Sequence, residues 1–295
     1  MAVAQLRQSV GEIAQAYDRV PAVSLLAAAA RCQAQIAGMR DHAAGGRLRR
    51  ELLAAEAETA IVMGQLLWDA SQRRDHATTL AHFDHAAAAA QAIGDTVAEA
   101  HATLRKSYVA LYGVRQPQGG LALASRAARL SRAASSTLSG VALLHVAEAH
   151  GMLGDRRACE DALDQAQMRL AHRNALDPAA DFYSPPHFDR LAGSCYLSLA
   201  VPAKAQAHLE RSAHAMPGGR QKVSALVLGN LALAYIQARK LDEATATLHE
   251  AIDVVDTTRG GGGVNVVFAA GRKLRPWRDQ PQVHAIHDRL LALMA

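Results

Sequence analysis

Apolar residues recur along this chain with a helical period, in paired segments that repeat every 35–45 residues or so, the spacing of a helical-repeat array. The clearest unit is Asn230-Leu231-Ala232-Leu233-Ala234-Tyr235, followed by Leu241-Asp242-Glu243-Ala244, Leu248 and Ala251. Large apolar residues on one helix there oppose small ones on the next, so two backbones can approach closely. The same pattern predicts helices at 3–17 and 22–41, split at Val20-Pro21, where proline suits a first helical turn. After the break Ala43-Ala44-Gly45-Gly46, a long helix from Leu48 to Ala70 is expected, with Leu52, Leu53, Ala60, Leu67 and Trp68 facing inward. Its partner, Asp75 to Ile93, stops at Gly94-Asp95.

Further hairpins are predicted at 96–112 with 119–133, joined through Gly113 and Pro117, and at 136–153 with 156–172, around Gly154-Asp155. Pro178, Pro185 and Pro186 break the helix between Asn174 and Pro186, and Ser184 is positioned as an N-cap. The next hairpin runs from His187 to Met216, turning at Ala200-Val201-Pro202. Pro217-Gly218-Gly219 separates it from the last, 221–257. The run Gly260-Gly261-Gly262-Gly263 is expected to be the most flexible point, ahead of two capping helices near 265–274 and 282–293. Trp277, between them, is expected to pack back onto the last repeat. Val264-Asn265-Val266-Val267-Phe268 is the main stretch with strand-like composition.

These elements predict an all-α, right-handed α-solenoid of about five hairpins with helical caps. The expected division is an N-terminal cap at 1–46, a repeat array at 47–258, and a glycine-rich linker with capping helices at 259–295. Composition agrees: the chain is 50% hydrophobic but only 4% aromatic, and alanine, the best helix former, supplies much of that apolar share. The net charge of +5 is dispersed. Two basic clusters, Arg47/Arg49/Arg50 and Arg272/Lys273/Arg275/Arg278, carry no aromatic interleaving, so direct nucleic-acid binding is not expected. Cys32, Cys159 and Cys195 are scattered, as reduced thiols of a cytoplasmic protein would be, and Cys159 and Cys195 sit among Ala and Leu as small core residues. Neither a signal peptide nor a membrane span is legible.

The hairpins resemble tetratricopeptide (TPR) repeats. Leu231, Ala232, Tyr235, Ala244 and Ala251 fall on that pattern, as do Tyr196, Ala205 and Pro217 in the preceding copy. Ala158 and Ala162 mark a third, and Gly120 and Ala77 hold the corresponding place in more degenerate ones. Longer segments are similar to the repeat region of actinobacterial transcriptional regulators, in which a helix-turn-helix head precedes a TPR sensor. They are Leu67-Trp68-Asp69-Ala70-Ser71, the stretch from Leu104 to Tyr112, Leu191-Ala192-Gly193-Ser194-Cys195-Tyr196, Arg259 with its four following glycines, and Leu274-Arg275-Pro276-Trp277. Residues 1–50 show no such head. The resemblance implies a regulatory interaction module: a headless relative, a separately encoded sensor, or an excised domain.

His82 and His85 around Asp84, and His284 and His287 beside Asp288, share helix faces, but no third ligand lies at a diagnostic distance; no metal or other cofactor is expected. Neither a Gly-x-Ser-x-Gly elbow nor an activated cysteine is present. His145 and Glu148 are spaced to pair on a helix surface. A helix starting after Gly263, with Arg259 nearby, offers a weak anion site. In TPR stacks the first helix of each hairpin lines the concave groove. That places Arg105 or Lys106, His145, His187 or Arg190, and Asn230 on the inner side. The asparagine amide suits a peptide backbone, and the basic residues suit a carboxylate.

The expected function is a non-enzymatic sensing module in transcriptional regulation. It would bind a peptide, a protein such as a DNA-binding regulator, or a small acidic ligand, and its N-terminal helices offer a homodimer interface. The rival readings are an adaptor without a small ligand and an α-helical enzyme using a His–carboxylate pair.

Overall fold

The structure, a computed structural model, describes residues 2–43, 45–172, 174–216 and 221–294. Ala44 and the separator Pro217-Gly218-Gly219 lie outside the described residues. Fourteen α-helices and no strand occur among those described: α1 (Ala2–Ala16), α2 (Val23–Asp41), α3 (Gly46–Ala70), α4 (His76–Ile93), α5 (Thr96–Tyr108), α6 (Pro117–Ser131), α7 (Ser136–Met152), α8 (Arg156–Ala171), α9 (Pro185–Ser198), α10 (Pro202–Ala215), α11 (Lys222–Gln237), α12 (Leu241–Thr258), α13 (Gly261–Lys273) and α14 (Pro281–Ala292). A π-helical segment, Val109–Val114, extends α5.

Local chemistry starts and stops these helices where the pattern indicated. The carboxylates of Asp75, Asp95 and Asp155 and the hydroxyl of Ser135 accept from the first-turn amides of α4, α5, α8 and α7. Gly94 and Gly154 adopt left-handed backbone after α4 and α7, at φ 72° and 77°. Ser184 takes the extended N-cap conformation ahead of Pro185 and Pro186, but its side chain makes no capping bond.

Hairpin packing relies on small residues. Ala57, Ala60, Ala86, Ala89 and Ala90 are buried between α3 and α4, and Ala232, Ala244, Leu248 and Ala251 are buried in the α11–α12 unit. The consensus-position Tyr235 is half-buried and donates its hydroxyl to Glu210 Oε1 at 2.8 Å. Trp277 packs onto the α11–α12 core together with Leu274, Val283 and Leu290.

The glycine run is not a linker. Gly261, Gly262 and Gly263 form the buried first turn of α13, and Val264–Phe268 continues that helix instead of forming a strand. The reason is tertiary: α13 is wedged between α11 and α3. A Cβ on Gly261 would lie 2.9 Å from the Asp69 carbonyl oxygen and 3.1 Å from Gln72 Cα, so only glycine permits that approach.

This wedge changes the overall shape. The inner helices touch in the succession α3, α5, α7, α9, α11 and α13, and α13 returns to α3. The solenoid therefore closes into a ring whose interior these helices line, where the repeat pattern alone indicated an open curved trough. At the junction Lys222 N–H donates to the Asp18 carbonyl at 2.9 Å and Val223 N–H to Asp18 Oδ1 at 3.2 Å. Asp69 accepts from Lys222 Nζ at 2.9 Å and from Gly261 N–H at 2.7 Å.

Candidate ligand-binding chamber

Three inner helices present polar stripes to the chamber at helical spacing. α5 and its π extension offer His101, Arg105, Tyr108 and Tyr112; α7 offers His145 and Glu148; α9 offers His187, Arg190 and Ser194. His145 and Glu148 are buried, and the other chamber residues of α5 and α9 are half-buried. Glu148 is the hub. Its Oε1 accepts from Ser194 Oγ at 2.7 Å, its Oε2 lies 3.2 Å from His145 Nδ1, and Tyr112 donates its hydroxyl to the same Oε2. The pair expected on a helix surface is thus an interior one, because α9 and the π segment cover it.

Aromatic and cationic groups surround this hub. The Tyr108 and His145 rings lie 4.3 Å apart, and the Arg105 guanidinium sits 5.3 Å from the Tyr108 ring. Arg73 enters from the α3–α4 turn, 4.5 Å from the Trp68 ring and 5.8 Å from that of Tyr112. Gln72 and Arg73 both have left-handed backbone, at φ 51° and 63°, a costly conformation for residues with a Cβ. His101 accepts from Arg105 Nε at 3.1 Å and packs 4.3 Å from the Phe182 ring.

Burial and positive charge keep the imidazoles neutral. Burial, then the Arg190 charge, hold His187 well below the usual histidine range, and burial with Arg105 does the same to His101. Burial also lowers His145 against the opposing pull of Glu148. Burial would raise Glu148, but bonds from His145, Tyr112 and Ser194 outweigh it and hold the carboxyl below its ordinary value.

Several buried polar atoms here have no partner: Arg73 Nε, Arg190 Nε, His145 Nε2, His187 Nε2 and Trp68 Nε1. The bonding pattern assigns their character. His145 Nδ1 faces Glu148 and the Tyr112 hydroxyl, so its neutral ring carries its proton away from Nε2. The ring interior thus holds, buried and unpaired, N–H donors of two arginines and Trp68 and ring nitrogens of two histidines, that of His145 a lone-pair acceptor.

Four of the residues placed on the inner side by repeat geometry, Arg105, His145, His187 and Arg190, meet in this chamber. Lys106 does not: it ion-pairs with Asp84 on α4. Asn230 is half-buried on α11, and none of the described contacts joins it to the cluster. Arg259 caps the end of α12, bonding Asp256 and the Leu293 carbonyl, while Gly263 is buried with its Cα facing the Ala225 side chain. The α13 N-terminus does attract an anion, but that anion is the chain's own Asp69. His85 bonds Glu56 Oε1 at 2.7 Å. Sequence reasoning missed Arg73, Tyr108, Tyr112 and Ser194; the spacing of His101, Arg105, Tyr108 and Tyr112 was the available signal.

No family profile matches the chain, and no curated protein matches it in sequence. Among solved structures it is similar to a Rap protein complexed with competence and sporulation factor, at a TM-score of 0.53 and 11% identity, over 99% of this chain and 98% of that one. At that identity the likeness establishes the fold, a TPR-like helical-repeat solenoid along the whole chain. No helix among the described residues is long and apolar enough to cross a membrane.

Proposed function

We propose that this chain is a non-enzymatic sensing module whose chamber takes a short, extended peptide and which acts in regulation through a partner protein. One observation carries this reading: the unpartnered chamber atoms include both donors and acceptors. A peptide backbone presents the complementary carbonyls and amides, whereas a simple anion would satisfy only the arginine and tryptophan N–H groups. Aromatic faces from Tyr108, Tyr112 and Trp68 suit side chains of such a guest. The fold likeness supports it, since the similar Rap protein is held in complex with a factor. The role in transcriptional regulation rests on the TPR-sensor resemblance, with a DNA-binding chain as the natural partner.

Selection from a library of short peptides, followed by calorimetry, tests the reading. Binding that is lost in Arg190→Gln and weakened in His145→Phe is the expected result. Binding only of small dicarboxylates, or only of a folded protein, would replace the peptide with that class.

A second reading is favoured by His145 itself. Its Nδ1 is oriented by Glu148 while Nε2 lies free, the arrangement of a general base. Turnover of ester or amide substrates that disappears in His145→Asn would establish it.

A further inference from the structure

The junction that closes the ring joins helices from the two ends of the array, unlike the contacts between neighbouring hairpins. It is polar, it is made across 153 to 205 positions of sequence, and it is buried: Lys222 is 5% exposed and Asp69 is 4% exposed. It also supplies what the local sequence omits. Gln221, the N-cap of α11, makes no side-chain capping bond, and Gly260, the N-cap of α13, has no side chain to make one. Asp18 and Asp69 from the other end of the array accept those first-turn amides instead. Finally, the junction presses on the strained turn. A Cβ on Gly262 would fall 2.1 Å from the Arg73 guanidinium, and Asn265 Nδ2 reaches the Gln72 carbonyl at 3.4 Å.

We infer that this seam is a gate: the ring opens between α3 and α13 to admit a guest, and closure places Arg73 against it. The inference rests on the chamber being the binding site. Opening exchanges a buried ion pair and two helix caps for solvated ones, a near-balanced trade compared with separating apolar interfaces. Arg73 couples gate and chamber because one guanidinium touches Gly262 on one side and Trp68 on the other.

The full chain carrying Trp277→Phe leaves Trp68 as the single fluorophore of its kind, and acrylamide quenching then reads access to the chamber. With Asp69→Asn added, quenching is expected to rise several-fold while the circular dichroism stays unchanged. In the wild-type protein the amides of Lys222, Val223 and Gly261 should exchange with deuterium at least about tenfold faster than Leu144 and Ala147 of α7, since seam opening does not require global unfolding. Seam amides that exchange only at the α7 rate overturn the gate, as does unchanged quenching in folded Asp69→Asn. Should that variant fail to fold, the wild-type exchange decides alone. The two readings separate cleanly: a seam that opens in a chain that captures no peptide removes the ligand, and a static seam in a chain that does bind peptide removes the gate.

Discussion

Lys222 and Asp69, 153 positions apart in sequence, form a buried ion pair of 2.9 Å at the meeting point of the two ends of the solenoid. The Lys222 ammonium also lies 4.0 Å from the Tyr17 ring, and the second Asp69 oxygen caps α13. Removing one partner strands the other charge in the interior. Asp69→Ala is therefore expected to destabilise the protein by about 3–5 kcal/mol. Lys222→Met should cost less, because the Gly261 amide still bonds Asp69. Urea titration of the two single variants and the double variant gives the coupling energy, and additive effects would show that the pair does not act as one.

Glycines at the junction and elsewhere should respond in opposite directions. Gly261→Ala forces a Cβ against backbone atoms of α3 and should destabilise by roughly 1–3 kcal/mol. Gly38, inside α2, has nothing within 4 Å of an added Cβ. Gly38→Ala should therefore stabilise by about 0.5–1 kcal/mol through helix propensity. Thermal midpoints that move the same way in both variants would contradict the close-approach account.

Acidification should unfold the protein through its chamber. His101, His145 and His187 are held below the ordinary value of 6.5 when folded, chiefly by burial, whereas the unfolded chain protonates near that value. Below it the unfolded state binds more protons, so stability is full above about pH 7 and falls progressively toward pH 5. The lowered Glu148 adds a second loss, complete only once the pH falls through its folded value, under 4.5. Denaturant midpoints at stepped pH check the sign, and His187→Phe should flatten the upper part of the decline.

Ser194→Ala removes the donor to Glu148 Oε1 and leaves a buried carboxylate oxygen unsatisfied. The expected cost is about 1.5–3 kcal/mol, as for hydrogen bonds to charged groups. Proton NMR of the His145 imidazole should report the change, since Glu148 then leans more heavily on its remaining partners. An unperturbed imidazole would mean that Ser194 is peripheral to the hub.

Most helices were legible because their determinants are local. Asp75, Asp95 and Ser135 cap in place, Gly94 and Gly154 turn the chain, and alanines mark the close interfaces. The site was legible as far as helix periodicity reaches: Arg105, His145, His187 and Arg190 follow from placing each first helix inward. Ring closure was not, because Asp18 and Asp69 cap helices more than 150 positions away and no local pattern encodes such a pairing. For the same reason four consecutive glycines signalled flexibility, whereas their small size serves contact with α3. Choosing Arg105 over Lys106 required knowing that Asp84 stands beside the lysine. Tyr112 reaches Glu148 from a π-helical segment, whose altered phase a regular helical period does not anticipate.

An open repeat array frays from its termini, and each unit's stability is set by its immediate neighbours. Here the Asp18 and Asp69 bonds to α11 and α13 tie the two ends of the array together. Tilting any hairpin in this molecule must be compensated by the other hairpins, so the chain should melt in one cooperative step and a distortion beside α7 should be felt at α3 and α11 alike.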